Sequence, residues 1–111
     1  MAIGRTPDAA ELHSKLGLVL AYLGERERAL ESGRRAVSML PVQRDALAGI
    51  GLEGDLARIY VLAGEQERAV DLLERLVRLP GWFSPQLLSV HPFFARLRSN
   101  PRFERLVAGK P

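Results

Sequence analysis

The sequence predicts an all-α fold of two antiparallel helical hairpins, stacked as in an α-α superhelix and followed by a C-terminal cap of short helices. Three observations predict it: an internal repeat with an offset of 40 residues, apolar residues at helical spacing around a glycine in each copy, and proline-containing helix-start signals near the end. The chain has 111 residues, of which 47% are hydrophobic and 26% are charged. One domain with one core, spanning residues 1–111, is therefore expected.

The first hairpin is predicted over residues 7–40, with Gly24 between its helices. Apolar residues at helical spacing mark one face of each helix, the kind of face that a helix buries. In the first helix they are Leu12, Leu16, Leu20 and Leu23, and in the second they are Ala29, Gly33, Ala36 and Leu40.

The second hairpin is predicted over residues 45–79, because residues 56–70 align without gaps with residues 16–30. Its apolar positions are Leu52, Leu56, Tyr60 and Ala63 before Gly64, and Ala69, Leu72, Leu73 and Leu76 after it. Gly24 and Gly64 stand where a helix that ends in a left-handed residue needs no Cβ atom. The cluster of glycines in residues 49–54 is interpreted as a loosely wound entry to the third helix.

Small residues recur where the two helices of a hairpin would face each other, which allows their backbones to approach closely. These residues are Gly17, Ala29, Ala36, Ala57 and Ala69.

The cap is predicted over residues 85–108. Proline follows an N-cap residue in four dipeptides, and proline is tolerated at the first helical position because its missing N–H is not needed there. The dipeptides are Thr6-Pro7, Ser84-Pro85, His91-Pro92 and Asn100-Pro101. We expect short helices over residues 85–90, 92–98 and 101–108, with Gly109 ending the last.

The cap region is rich in aromatic residues, because Trp82, Phe83, Phe93, Phe94 and Phe103 all lie in the last quarter of the chain. A helical array must cover its final apolar face. The aromatic cap is therefore expected to cover the face formed by Leu72, Leu73, Leu76 and Val77.

The first repeat resembles the tetratricopeptide repeat at Leu16-Gly17, Gly24, Ala29, Ala36 and Pro41, and the second at Leu56, Ala57, Tyr60, Gly64 and Ala69. The first repeat departs from the motif at two positions, where His13 replaces the Trp and Leu20 replaces the Tyr. In the second repeat Leu76 replaces the second Ala, and Pro80 comes one residue early. The offset of 40 also exceeds the 34 residues of the tetratricopeptide motif, and HEAT-like repeats are the alternative at that length. The extra residues are placed in residues 41–51.

The C-terminal half is similar to the tail of bacterial tetratricopeptide proteins in which the repeats follow a kinase, cyclase or other signalling domain. The matching positions are Ser84, Leu87-Leu88, His91-Pro92, Leu97-Arg98 and Pro101-Arg102-Phe103, with His91 in place of the usual Asp. The resemblance implies a protein-binding scaffold that is part of a signalling protein or acts beside one. It implies no catalytic residue.

In the tetratricopeptide family the first helix of each hairpin lines a concave groove. The resemblance carries this role onto Glu11, Ser14, Leu18, Ala21, Tyr22, Gly54, Arg58, Val61 and Leu62. The specific hypothesis is an apolar helix or peptide held by Leu18, Tyr22 and Leu62, with Arg58 orienting an acidic group. Alternatively, Leu18 and Leu62 pack against a neighbouring helix or subunit.

A basic patch is the second candidate site. The net charge of +3 comes from the end of the chain, where residues 85–111 hold five cationic residues and one acidic residue. Its arginines, Arg96, Arg98, Arg102 and Arg105, alternate with phenylalanines that could stack on bases while the arginines neutralise phosphates. In the alternative interpretation the aromatic side chains point inward and the arginines form a solvated outer face.

Neither a catalytic nor a metal site is predicted, and no cofactor is expected. The chain has no cysteine, and its two histidines, His13 and His91, have no potential metal ligand at helical spacing. Without a nucleophile motif or a phosphate loop, an enzyme is the least favoured class. With no long apolar run, the expected partner is not a membrane, and the cytoplasm is the default compartment.

The predicted function is binding of a protein or peptide partner. Self-association into a homo-oligomer is the first alternative, because repeat arrays usually need about three units for stability and this chain has two and a cap. Nucleic-acid binding is the less favoured alternative.

Overall fold

The computed structural model describes residues 6–39, 46–79 and 84–109. In these ranges the chain forms α1 (Thr6–Tyr22), α2 (Arg26–Met39), α3 (Ala46–Leu62), α4 (Gln66–Leu76), α5 (Pro85–Val90), a 3₁₀ helix η1 (Pro92–Leu97) and α6 (Pro101–Val107). The same ranges contain no strand, and the all-α class is confirmed. None of the helices in them is both long and apolar enough to cross a membrane.

The two tight turns between long helices have the same geometry. Gly24 and Gly64 both have φ of +83°, and the amide after each glycine donates a 2.8 Å hydrogen bond to a carbonyl in the preceding helix, Glu25 to Leu20 and Glu65 to Tyr60. This is a helix ending at a left-handed glycine, as expected. Across these turns α1 packs on α2, forming a first helix pair, and α3 packs on α4, forming a second.

Helix α3 lies at the centre of the fold, in contact with α1, α2 and α4. Its Ile59 is fully buried and points its Cδ1 atom at two glycines. A Cβ atom on either Gly17 or Gly33 would lie 2.8 Å from Ile59 Cδ1, and one on Gly17 would also lie 3.1 Å from the Ala29 carbonyl oxygen. The expected close approach of small residues is thus confirmed at Gly17, and it extends to α3.

The three short C-terminal helices begin as predicted. Ser84 accepts a hydrogen bond from the Leu87 amide, His91 Nδ1 accepts one from the Phe93 amide, and Asn100 Oδ1 accepts one from each of two amides in α6. The segment over 92–97 is a 3₁₀ helix, and Gly109 ends the last turn with φ of +72°. The side chain of the fourth predicted cap, Thr6, lies outside the described residues.

The cap covers the second helix pair. Buried side chains from α3, α4 and the cap form one cluster, which includes Ile50, Leu73, Leu76, Leu88, Phe94, Leu97 and Phe103. Leu72 and Val77 are half-buried at its edge. The structural role expected of the cap is confirmed for Phe93, Phe94 and Phe103; Trp82 and Phe83 lie outside the described residues.

The predicted apolar face of α1 is wrong in part. Only Leu20 is buried, while Leu12, Leu16 and Leu23 are exposed. The face that α1 turns to its neighbours is made of small residues: Ala10, Ser14, Gly17 and Ala21. The physical reason is spacing, because a Cβ atom at Gly17 would already lie 2.8 Å from Ile59 Cδ1, and no large side chain fits at such a position.

The predicted loose entry to the third helix is also wrong. Helix α3 runs without interruption from Ala46, so the glycines of residues 49–54 lie inside it. Glycine costs roughly 1 kcal/mol relative to alanine in a helix interior. Burial of the intervening Ile50 and Leu52, each worth roughly 1.5 to 3 kcal/mol, outweighs that cost.

Replacing Gly33 by valine is expected to destabilise the fold by about 1 to 3 kcal/mol, the usual cost of overpacking. The new side chain must displace Ile59, and Ile59 is fully buried, so it has no free space to move into. The matched control is Gly51→Ala, since a Cβ atom there has no neighbour within 4 Å and should stabilise the helix by about 0.5 to 1 kcal/mol. Urea unfolding followed by circular dichroism measures both; equal stability of wild type and Gly33→Val would contradict the packing argument.

Phe103→Ala should lower the free energy of unfolding by about 3 to 5 kcal/mol, because the ring is buried against Phe94 in the cap cluster. Val90→Ala, at a position that is 74% exposed in the same cap, should change it by less than about 0.5 kcal/mol. Thermal melting of both variants gives the comparison. If Phe103→Ala and Val90→Ala both lowered the melting temperature only slightly, the cap would not contribute to the core as described.

Candidate functional site

The repeat relates two pairs of predicted groove residues, one pair on α1 and one on α3, and these two helices pack on each other. Leu18 and Tyr22 lie one turn apart on α1, and Arg58 and Leu62 occupy the positions 40 residues later on α3. Leu18 and Leu62 are half-buried against the same core cluster, whereas Tyr22 is 63% exposed and Arg58 is half-buried. We call these four residues the α1/α3 surface; it combines partly exposed apolar groups with one cation.

The other predicted groove residues divide into two groups. Glu11 is exposed on α1. Ser14, Ala21 and Val61 are buried, and so is Gly54. A buried side chain cannot contact a partner, so these four positions belong to the contact between helices and not to a ligand surface.

A buried carboxylate on α3 forms hydrogen bonds to α1 beside the α1/α3 surface. Asp55 Oδ2 accepts hydrogen bonds from Ser14 Oγ at 2.8 Å and from Lys15 Nζ at 2.9 Å. Arg58 Nη1 lies 3.7 Å from the other oxygen, Oδ1. Since a buried charge is costly unless it is paired and hydrogen-bonded, this arrangement fixes α1 against α3 and holds Arg58 in place.

The cap closes one end of the α1/α3 surface. The Arg58 guanidinium lies 5.9 Å from the centroid of the Phe93 ring in η1, and the Arg96 guanidinium lies 4.8 Å from the same centroid. Both distances fit a cation–π contact. Arg58 therefore lies between the Asp55 carboxylate and an aromatic ring, with a side chain that is 35% exposed.

The sequence argument missed Asp55 and a second buried carboxylate, Glu53, which pairs with Arg75 of α4. A signal was present, because these are the two acidic residues of α3, a helix that is otherwise almost entirely apolar. Acidic residues in a helix that is buried on several sides need partners, and the neighbouring helices supply them.

The predicted basic patch is divided by the structure. Arg102 donates hydrogen bonds to three carboxylates on one face of α4: Glu67 at 2.9 Å, Asp71 at 2.6 Å and Glu74 at 2.9 Å. Asn100 Nδ2 donates a further bond to Glu67 at 2.8 Å. Arg102 therefore fastens α6 to α4, and its charge is compensated within the chain.

The remaining patch residues are exposed but do not share one environment. Arg96 stacks on Phe93, while Arg98 and Arg105 lie on the solvent side of the cap. The alternative interpretation, with aromatic rings inward and arginines outward, describes Phe94 and Phe103, which are both buried.

The contact between Arg102 and α4 changes the titration of its members. Hydrogen bonding from Arg102, followed by that from Asn100, holds the pKa of Glu67 below its ordinary value. Hydrogen bonding to Asp71 and then to Glu67 raises the pKa of Arg102. Both shifts favour the charged forms that make the contact.

Within the described ranges, no group of three or more histidine, aspartate or glutamate side chains is arranged to hold a metal ion. Comparison with protein-family models, curated proteins and solved structures yields no match for the chain.

Acidification is expected to loosen the cap. A carboxyl group whose pKa is lowered by folding stabilises the fold above its ordinary value, 4.5 for Glu67, and this stabilisation is lost as pH falls through the lower value in the folded state. Arg102→Met should return the pKa of Glu67 toward its ordinary value and weaken the decline in stability below that pH.

Arg105→Met, three residues along the same helix, is the control and should leave the Glu67 titration unchanged. Carbon-13 detected titration of the Glu67 side chain measures this directly. The same Glu67 pKa in wild type and Arg102→Met would show that the contact does not persist in solution.

Proposed function

We propose that the chain is a non-catalytic interaction module that holds a peptide or helix of a partner protein on the α1/α3 surface. The observation that carries the proposal is that Leu18 of α1 and Leu62 of α3 are half-buried against the same core cluster, with the partly exposed cation Arg58 one turn before Leu62. Apolar groups with one oriented cation suit an apolar segment that bears an acidic residue.

The arrangement of the helices fits a tetratricopeptide-like module. Two helix pairs related by 40 residues share the glycine turn, and their first helices, α1 and α3, pack against each other. In such a module the first helices line the binding surface. The resemblance to bacterial signalling proteins supports a role for the module within or beside such a protein. A cytoplasmic location is part of the same proposal.

The contacts and exposure of Arg58 support a role in binding in addition to a structural one. Asp55 and Phe93 hold the guanidinium from two sides while a third of the side chain remains exposed. A cation oriented before binding loses less conformational entropy when it meets a carboxylate. Arg58 is thus suited to select the charge of the bound segment.

The nucleic-acid alternative is less well supported by the arrangement of its arginines. Of the four, Arg102 is neutralised by Glu67, Asp71 and Glu74, and Arg96 is stacked on Phe93. Two dispersed exposed arginines offer few phosphate contacts, and phosphate contacts supply most of non-specific affinity.

Selection of a random peptide library on the immobilised chain tests the proposal. We expect enrichment of peptides in which apolar residues flank an aspartate or glutamate. Arg58→Met, which removes the charge but keeps an unbranched side chain, should retain the apolar preference and lose the acidic one. Leu62→Ser should weaken the selected peptides by about tenfold, corresponding to roughly 1.4 kcal/mol of lost apolar contact.

The matched control is Leu87→Ser on α5, which removes a 41% exposed leucine from the cap and should leave peptide affinity unchanged. Melting curves of all variants confirm that they fold. Peptides that bind equally well to the Arg58 and Leu62 variants, or that lose affinity with Leu87, would place binding elsewhere and contradict the proposal.

A further inference from the structure

Helix α1 and the first residue after it carry a continuous row of exposed apolar side chains. Successive members are four, three and four residues apart, a spacing that keeps them on one helix face. The row consists of Leu12, Leu16, Val19 and Leu23, each between 46% and 71% exposed. We call it the α1 stripe; a contiguous apolar surface of this kind marks a contact site more often than scattered leucines do.

The internal repeat shows what such a face is built to contact. The residues 40 positions after the stripe are Leu52, Leu56, Ile59 and Ala63, and none of these is more than 8% exposed. They are the corresponding face of α3. Apolar side chains at corresponding positions of the repeat are therefore buried in the second helix pair and exposed in the first.

Helix α2 covers this face of α3 with small residues. Ala29 and Gly33 meet Ile59, and Ala36 packs on Leu52. The three small residues lie four and three positions apart, so they form one shallow strip into which the large side chains of α3 fit.

An ion pair flanks the same contact. Arg26, three residues before Ala29, pairs with Glu65 at the turn after α3. The residue equivalent to Glu65 in the first helix pair is Glu25, whose side chain is 52% exposed at the turn after α1. The first helix pair thus offers both the apolar row and the acceptor that α2 uses on the second.

We propose that the α1 stripe binds a helix of a partner protein that resembles α2: small residues at positions 1, 5 and 8 of its contact face, and a basic residue three positions before the first. This surface is separate from the α1/α3 surface, and the inference does not depend on the function proposed for it.

A second copy of the chain cannot supply such a helix in its folded state. Its α2 strip is already buried against its own α3. The equivalent positions of α4 are Ala69, Leu73 and Leu76, which are bulkier and are covered by the cap. The proposed occupant is therefore an α2-like helix other than those that a second folded copy holds.

The probe is a synthetic peptide with the sequence of residues 25–40 of this chain, titrated into the full chain labelled with nitrogen-15. We expect amide signals of Leu12, Leu16, Val19 and Leu23 to shift. Leu16→Glu and Leu12→Glu in the chain should each weaken binding by about tenfold or more, because a charge enters an apolar contact. Both side chains are exposed, so the variants should fold.

Two peptide variants define the chemistry of the contact. Gly33→Leu in the peptide removes the shallow strip and should weaken binding, and Arg26→Glu should weaken it and be rescued by Glu25→Arg in the chain. The control variant of the chain is Val90→Glu, at an exposed apolar position on α5; it should bind the peptide as the wild type does.

Three results would overturn the proposal. The first is no shift of the stripe signals at millimolar peptide. The second is shifts at Leu56 and Ile59, which would mean that the peptide replaces the chain's own α2. The third is a homodimer by sedimentation that dissociates in Leu16→Glu, which would assign the stripe to a second copy. Loss of affinity at Arg58 or Leu62 with the stripe unaffected would support only the α1/α3 surface.

Discussion

The Ile59 side chain needs space that only glycine leaves, and the positions of α1 and α2 against α3 depend on that requirement. Its Cδ1 atom reaches the backbones of α1 at Gly17 and of α2 at Gly33. Because the three helices meet over a single side chain, a change at any of these positions moves all of them. The close contact also explains why small residues of α1 are buried while Leu12 and Leu16 are exposed, because the distance between the helices is set by their backbones.

Helix α3 combines this close packing with two buried carboxylates directed to different neighbours. Asp55 is bonded to α1, and Glu53 is paired with α4. Buried ion pairs add little net stability, because desolvation offsets most of the attraction. Their value here is geometrical, since breaking either one leaves an uncompensated charge and so excludes alternative rotations of α3 against its neighbours.

Much of the fold could be predicted because its signals are local. The turns at Gly24 and Gly64, the caps at Ser84 and Asn100, and the repeat that relates α1 to α3 are all short-range patterns. The faces of α1 could not be assigned by the same reasoning, because periodicity shows that Leu12 and Leu16 share a side but does not show which side a neighbouring backbone approaches.

The candidate site was less predictable, since its members are defined by partners far away in sequence. Nothing near Arg102 indicates that it meets Glu67 and Glu74, which lie 35 and 28 positions earlier. Leu18 and Leu62, which the repeat relates to each other's helices, both lie half-buried against one core cluster, and their role in binding stays a prediction. Ser14 and Ala21 were assigned to the wrong environment, since the depth of that contact depends on the glycines beneath it.

The amide of Asn100 has a consequence for how the C-terminal end opens. Its oxygen accepts the first amides of α6, while its nitrogen donates to Glu67 and, at 3.4 Å, to Gln66 on α4. The orientation of the Asn100 amide that caps α6 also directs its nitrogen to α4. If α6 separates from α4, Asn100 therefore loses its bonds to Glu67 and Gln66. An ionised aspartate would cap the helix but has no donor for α4. The last helix and its attachment therefore form one cooperative unit of local unfolding, whose amides should exchange with solvent in a single event instead of fraying one by one.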